Sequence, residues 1–362
     1  MTKDKTIKFK RWFRNFLLFS LVPLCLVALF NYLVDGTGLF HLNKGRLKYA
    51  AANLLAGKMV AGPLGGYEER ELQRLIIENY PKRRDVILIG SSRTMLLRRR
   101  FIQRDIDFFN HSMSGAGLED YISIIGLYKT KGDLPKTVVL GIDPWIFNKN
   151  SGIPEWWNPL GGYYEKLVAE INGRKTKVNR TQLNKYMQLI NLDYTRANYK
   201  FYPRRKKIRG KKLYVTPTVD IDDLVREPDG SVHFPYKMRF KEDVRSSPYP
   251  PRAEPIRTLN NFDSLSGIEL FEDFVLYLQK KEVKVILLLS PFHPVAYKLF
   301  NDDPRYQIVI SLEKYLKNFA FRNHIKLIGS YDPGRYQLKE KDFIDDSHGH
   351  EIVVTKVFQE YR

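Results

Sequence analysis

Asp85-Val86-Ile87-Leu88-Ile89-Gly90-Ser91-Ser92-Arg93 is the stretch on which the fold turns. Val86 to Ile89 are apolar without alternation, as a strand reads when both faces of its sheet are covered. The run stops at Gly90, and small polar residues follow. Asp107-Phe108-Phe109-Asn110 and Thr137-Val138-Val139-Leu140-Gly141 repeat the pattern downstream. Val283 to Ser290 (VKVILLLS) is the clearest strand of all, and Ile325 to Gly329 is the last. Helical periodicity fills the gaps. Leu118 to Lys131 sets Tyr121, Ile124, Ile125 and Tyr128 on one face, and Leu265–Lys281, Pro304–Phe319 and Ile352–Tyr361 read as further helices. Strands alternating with helices of this length predict a three-layer α/β/α domain around a central parallel sheet.

The rhythm breaks between about residues 148 and 260, a stretch rich in Tyr, Trp, Arg and Pro. It reads as an insertion on the loop face of the sheet, with some helix near 160–195. Glu227-Pro228-Asp229-Gly230 is the turn of an expected hairpin. Upstream, residues 35–80 read as a juxtamembrane connector, in which Leu72, Leu75 and Ile76 mark a short helix ended by Pro81.

Phe16 to Val34 (FLLFSLVPLCLVALFNYLV) carries no charge. At about 1.5 Å per residue it is long enough for a hydrocarbon core of about 30 Å. Lys3, Lys5, Lys8, Lys10, Arg11 and Arg14 precede it, opposed only by Asp4. The positive-inside rule puts residues 1–14 in the cytoplasm as a basic tail, 15–34 in the membrane, and the rest outside. No small-x-small cleavage site follows the apolar run, so the expectation is an uncleaved single-pass anchor in the cell membrane.

The chain has 362 residues, 43% of them hydrophobic, enough to bury a full core. Lys and Arg number 60 against 40 acidic residues, a formal charge of +20. Such an excess gathers polyanions. Outside a membrane these are lipid headgroups and surface polymers, so no nucleic-acid partner is expected. Cys25 is the single cysteine, which excludes an intrachain disulfide. The histidines are dispersed and no metal-ligand spacing occurs, so neither metal nor cofactor is expected.

Chemistry gathers at strand ends, where open α/β sheets bind ligands. Ser92 follows the first strand, Asn110 to Gly115 (NHSMSG) the second and Gly141-Ile142-Asp143-Pro144 the third; Asp345-Asp346-Ser347-His348 lies near the C-terminus. A serine hydroxyl needs a base to act as nucleophile. His348 is the candidate base and Asp345 the carboxylate that orients it. The backbone N–H groups of Ser92 and Gly115 suit an oxyanion pocket. Arg93, His293, Trp156 and Trp157 are candidate substrate contacts. Each residue also has a plainer reading: Ser92 as a helix cap, Arg93 as a surface arginine, His293 as a structural turn, the tryptophans as core. His111 reads as filling a surface turn and His350 as a surface residue, and Arg98-Arg99-Arg100 and Lys200–Lys212 as solvated charge or as polyanion tracks.

The four blocks together resemble the SGNH/GDSL-type hydrolases, over about residues 85–145 and 283–362. In that family the first block carries the nucleophilic serine, here Ser92, the second an oxyanion glycine, here Gly115, and the last an Asp-x-x-His, here Asp345 and His348. The resemblance implies a flavodoxin-like SGNH hydrolase fold over 81–362. The third block departs from the pattern. Where the family has an asparagine whose amide donates to the oxyanion, this chain has Asp143, and a carboxylate has no proton to donate. Loss of one such donor costs roughly 10²–10³ in rate. With the anchor, the chain is similar to membrane-anchored SGNH-like proteins of D-alanyl-lipoteichoic-acid biosynthesis and alginate O-acetylation. That resemblance implies an extracytoplasmic O-acyltransferase or esterase acting on a surface polysaccharide or polyol polymer beside a membrane-bound O-acyltransferase. The alternative expectation is a catalytically inactive SGNH-fold scaffold that binds the polymer or that acyltransferase.

Overall fold

The computed structural model describes residues 3–103, 105–151, 160–173, 183–204, 212–240, 257–259 and 261–361. The chain forms two compact units, and the polypeptide passes from one to the other three times. Residues 1–43 and 179–211 make the first unit, and 44–178 and 212–362 the second.

In the second unit the five expected strands form one parallel sheet. They are Val86–Ile89, Phe108–Asn110, Thr137–Gly141, Lys284–Leu289 and Lys326–Gly329. The spatial order is second, first, third, fourth, fifth. This doubly wound order has its switch point between the first and third strands, where a crevice opens at the carboxyl edge. Pairing is in register from Val86 opposite Thr137 to Ile89 opposite Leu140.

The lack of alternation in the strands now has its cause. Ile87, Ile89, Val138, Leu140, Val285, Leu287 and Leu289 face one core, with Tyr121, Ile125, Phe271, Phe274 and Leu316 from the covering helices. Val86, Leu88, Val139, Ile286, Leu288 and Ile328 face a thinner core closed by Leu97, Ile102, Val357 and Phe358. Both faces of every central strand are therefore dry.

Among the described residues, two longer helices were not anticipated, besides the short Arg99–Ile102 and Tyr236–Phe240. Lys44–Leu55 lies within the stretch read as a connector, and buries Leu47, Ala50, Ala51 and Leu54 at helical spacing. Pro294–Asp302 begins on a proline at its first turn and buries Ala296 and Phe300. The expected hairpin is present, with Val225–Arg226 antiparallel to Val232–His233. Its strands join Val60–Ala61 and Tyr214–Val215 in a small antiparallel sheet.

The first unit contains the apolar helix, which runs over Lys3–Val34. It is long and apolar enough over Ile7–Val34 to cross a membrane. Part of the expected insertion, the helices Leu183–Met187 and Leu192–Phe201, belongs to this unit.

Candidate active site

Ser92 stands in a turn directly beyond the first strand, near the switch point. Its Oγ lies 2.7 Å from His348 Nε2. On the other side of the ring, His348 Nδ1 lies 2.8 and 2.9 Å from the two Asp345 carboxylate oxygens. The three side chains form a continuous hydrogen-bonded line across 256 positions of sequence. With Nδ1–H donating to Asp345, Nε2 presents a lone pair to the serine hydroxyl. The His348 side chain is 27% exposed, so the ring is reachable from solvent.

Asp345 is held by its own loop. Its Oδ1 accepts from the backbone N–H groups of Ser347 (2.9 Å) and His348 (2.8 Å). Burial pushes this carboxyl up. The hydrogen bond and charge of His348 and the two N–H donors outweigh burial, and the net shift is well below the usual carboxylate range. The loop is pinned on several sides. Ile344 N–H donates to His348 C=O, Phe343 bridges to Gly349, and His293 N–H donates to Asp346 C=O.

The second block is tied to the first. Met113 N–H donates to Gly90 C=O, and His111 N–H to Leu88 C=O. The Asn110 amide donates to the Thr94 and Leu97 carbonyls, both at 2.9 Å, and the Thr94 and Ser112 hydroxyls meet at 2.8 Å. Gly115 takes φ +58°, in the left-handed region that favours glycine. Among the described residues, neither the Ser92 nor the Gly115 N–H donates within the chain. Two backbone donors thus remain available on adjoining loops.

Asp143 is buried beside Arg93, whose Nη1 donates to its Oδ1 at 2.7 Å. Burial pushes the Asp143 carboxyl up, and the charge of Arg93 with hydrogen bonds from Ser91 and Arg93 pulls it only partly back. Arg93 also donates through Nε to Ser347 C=O (3.0 Å) and through Nη2 to the Ser290 and Pro291 carbonyls. Its guanidinium lies 3.7 Å above the Phe292 ring. Five positions on three loops converge on one side chain. The reading of Arg93 as a surface arginine is therefore corrected: it is buried, and all three of its guanidinium nitrogens donate to the protein.

Other expectations also change. His111 fills no surface turn. It is fully buried between Gln73 (2.6 Å) and Tyr128 (2.7 Å), and burial lowers its pKa well below the ordinary value. His293 is buried and caps the helix Pro294–Asp302 by accepting from Val295 N–H, which is the structural-turn reading. Arg98 is likewise buried, between Glu227, Glu351 and His233. Trp156 and Trp157 lie outside the described residues, as does most of Lys200–Lys212.

One neighbour of the site was not foreseen. The Phe234 ring stands edge-on to His348, with centroids 6.1 Å apart. It follows directly on the hairpin strand Val232–His233, and the hairpin turn was the only sequence signal that could have pointed to it. Among the described residues, no group of three His, Cys, Asp or Glu side chains could hold a metal ion.

No protein-family model matches this chain, and a search of curated proteins finds no match.

Proposed function

We propose that this chain is a membrane-anchored, extracytoplasmic acyl-ester enzyme of SGNH type, with Ser92 as nucleophile, His348 as base and Asp345 as its orienting carboxylate. The observation that carries the reading is the hydrogen-bonded line from Ser92 through His348 to Asp345 at the carboxyl edge of a parallel sheet. Ser92 Oγ attacks an acyl carbonyl carbon while His348 Nε2 takes its proton. The oxyanion that forms is held by the Ser92 and Gly115 N–H groups. His348 returns the proton to the leaving oxygen, and the acyl group stays on Ser92 as an ester. A second hydroxyl, from a sugar, a polyol or water, then reverses these steps and releases the acyl group.

The Arg93–Asp143 pair supports this reading over an inactive scaffold. Asp143 in place of a donor was the argument against catalysis, because a lone carboxylate repels an oxyanion. Paired with Arg93 at 2.7 Å, it brings no uncompensated negative charge. The basic flank of the span supports an outward-facing catalytic unit, and the net charge of +20 an anionic surface polymer as acceptor. A membrane-bound O-acyltransferase is the partner suggested by the resemblance.

Active-site labelling of the full chain with a fluorophosphonate tests the proposal. Wild-type protein should be labelled and Ser92→Ala should not. Equal labelling of the two would remove Ser92 from the role.

A further inference from the structure

The uncharged span ends at Val34, and Asn31 sits one helical turn inside that end. An amide in an apolar span needs partners. Asn31 has them: it is fully buried, and its Nδ2 donates at 2.7 Å to both Leu189 C=O and Thr195 Oγ1. Asn198 Nδ2 donates back to Asn31 Oδ1 at 3.0 Å. The Tyr202 ring packs on Phe30, one residue deeper, with centroids 6.0 Å apart. Just beyond the span, Asp35 is buried and accepts from the Tyr194 hydroxyl (2.7 Å), while Gly36 N–H donates to Asn198 (2.8 Å). These contacts fix the level of residues 188–202. They gather around the last turn of the helix, which is its headgroup-level end if residues 15–34 span a membrane.

The outward face of the same segment has the composition such a level requires. On the helix Leu192–Phe201, Tyr194 and Asn198 point at the span. The opposite face carries Leu192, Asp193, Arg196, Tyr199 and Lys200, with Leu192 70% and Tyr199 74% exposed and Arg196 paired to Asp193 at 3.2 Å. Tyr186, Met187 and Ile190 are exposed just before it. Tyrosines and aliphatic residues interleaved with Arg and Lys are the pattern of helices that lie in a membrane interface. In water this face would be a costly patch.

We propose that residues 185–204 form a collar around the outer end of the span and lie in the headgroup region of an anionic bilayer. Leu192 and Tyr199 reach toward the acyl chains, and Arg196 and Lys200 toward phosphates. The collar rests on the reading of residues 15–34 as a membrane span, and is independent of Ser92.

Full-length protein in phosphatidylglycerol-containing vesicles tests it, with lipid-borne spin-label quenchers read against an environment-sensitive fluorophore. The native thiol at Cys25, exposed on the apolar helix, reports the span. Leu192→Cys, Tyr199→Cys and Phe321→Cys, each with Cys25→Ser, report the collar and a control position 84% exposed in the α/β unit. Cys25 should respond to the deep quencher. Positions 192 and 199 should respond to the shallow quencher several-fold more than 321, and less so when phosphatidylglycerol is replaced by phosphatidylcholine. Quenching at Cys25 with none at 192 and 199 overturns the collar alone. No quenching at Cys25 overturns the span and the collar together. Protection of 192 and 199 only in native membranes would assign the face to a protein partner, and would equally overturn the proposal.

Discussion

Arg93 and Asp143 are the residues whose meaning changed most between sequence and structure. Each is all but buried, and each neutralises the other. Removing one partner strands the other charge in a dry site. Arg93→Met should cost about 3–5 kcal/mol by chemical denaturation. Arg93→Met with Asp143→Leu should recover most of that loss, and a single variant as stable as wild type would contradict the pairing. Asp345→Asn tests the other carboxylate. The amide can hold His348 in the wrong tautomer, so on the proposed mechanism turnover should fall by about 10⁴-fold, and the stability that the ionised carboxylate contributes at neutral pH should be lost with it. The pH dependence follows from the direction of the Asp345 shift. Its folded value lies below its unfolded one, so its contribution is present above the ordinary carboxyl range of about 3.9 and is lost only as pH falls through the lower folded value. The acid limb of kcat/KM should therefore show no carboxylate step above about pH 4, and one found there would contradict the lowered Asp345 value. The meeting of Ser92, His348 and Asp345 was legible because strand ends and a three-residue spacing mark them. The committed donors of Arg93 were not, because its acceptors are mostly backbone carbonyls, which every residue has. His111 was misjudged for a similar reason: its burial depends on Gln73 and Tyr128, which come from two other helices.

At the scale of elements, the loops after the first two strands act as one piece. Asn110 links them, and the hairpin turn presses on the same spot. Gly230 has φ +81°, and a Cβ there would lie 2.4 Å from Asn110 C=O and 2.6 Å from the Phe109 ring. Gly230→Ala should thus destabilise the protein by about 1–3 kcal/mol. Because the hairpin leads into Phe234 beside His348, the same variant should slow fluorophosphonate labelling of Ser92. Unchanged labelling would separate the hairpin from the site. The strands were readable from sequence because double-sided burial forces a continuous apolar run. The helices Lys44–Leu55 and Pro294–Asp302 were harder. The first is rich in alanine, which carries little hydrophobic signal, and the second is short and opens on a proline that equally begins a turn.

The whole molecule divides in a way the sequence concealed. The insertion was read as decoration of the α/β domain, yet its middle packs on the apolar helix instead. Nothing in a linear pattern links Asn31 to Leu189 and Thr195, since each is an ordinary polar or apolar residue in its own neighbourhood. Asn31→Leu should break that joint, leaving Leu189 C=O and Asn198 short of partners at a cost of about 1–3 kcal/mol. Hydrogen exchange should then quicken across 188–201, while the Val86–Ile89 and Thr137–Gly141 strands keep their protection. Uniform loss of protection in both units would show that they unfold together.

The triple passage of the chain between units bears on shedding. A protease that cuts just after residue 43 severs the helix from everything downstream, but the downstream fragment still carries residues 185–202, which grip the freed stub through Asn31, Asp35 and Phe30. Nicked protein should therefore sediment with its stub, and escape would wait on that grip letting go.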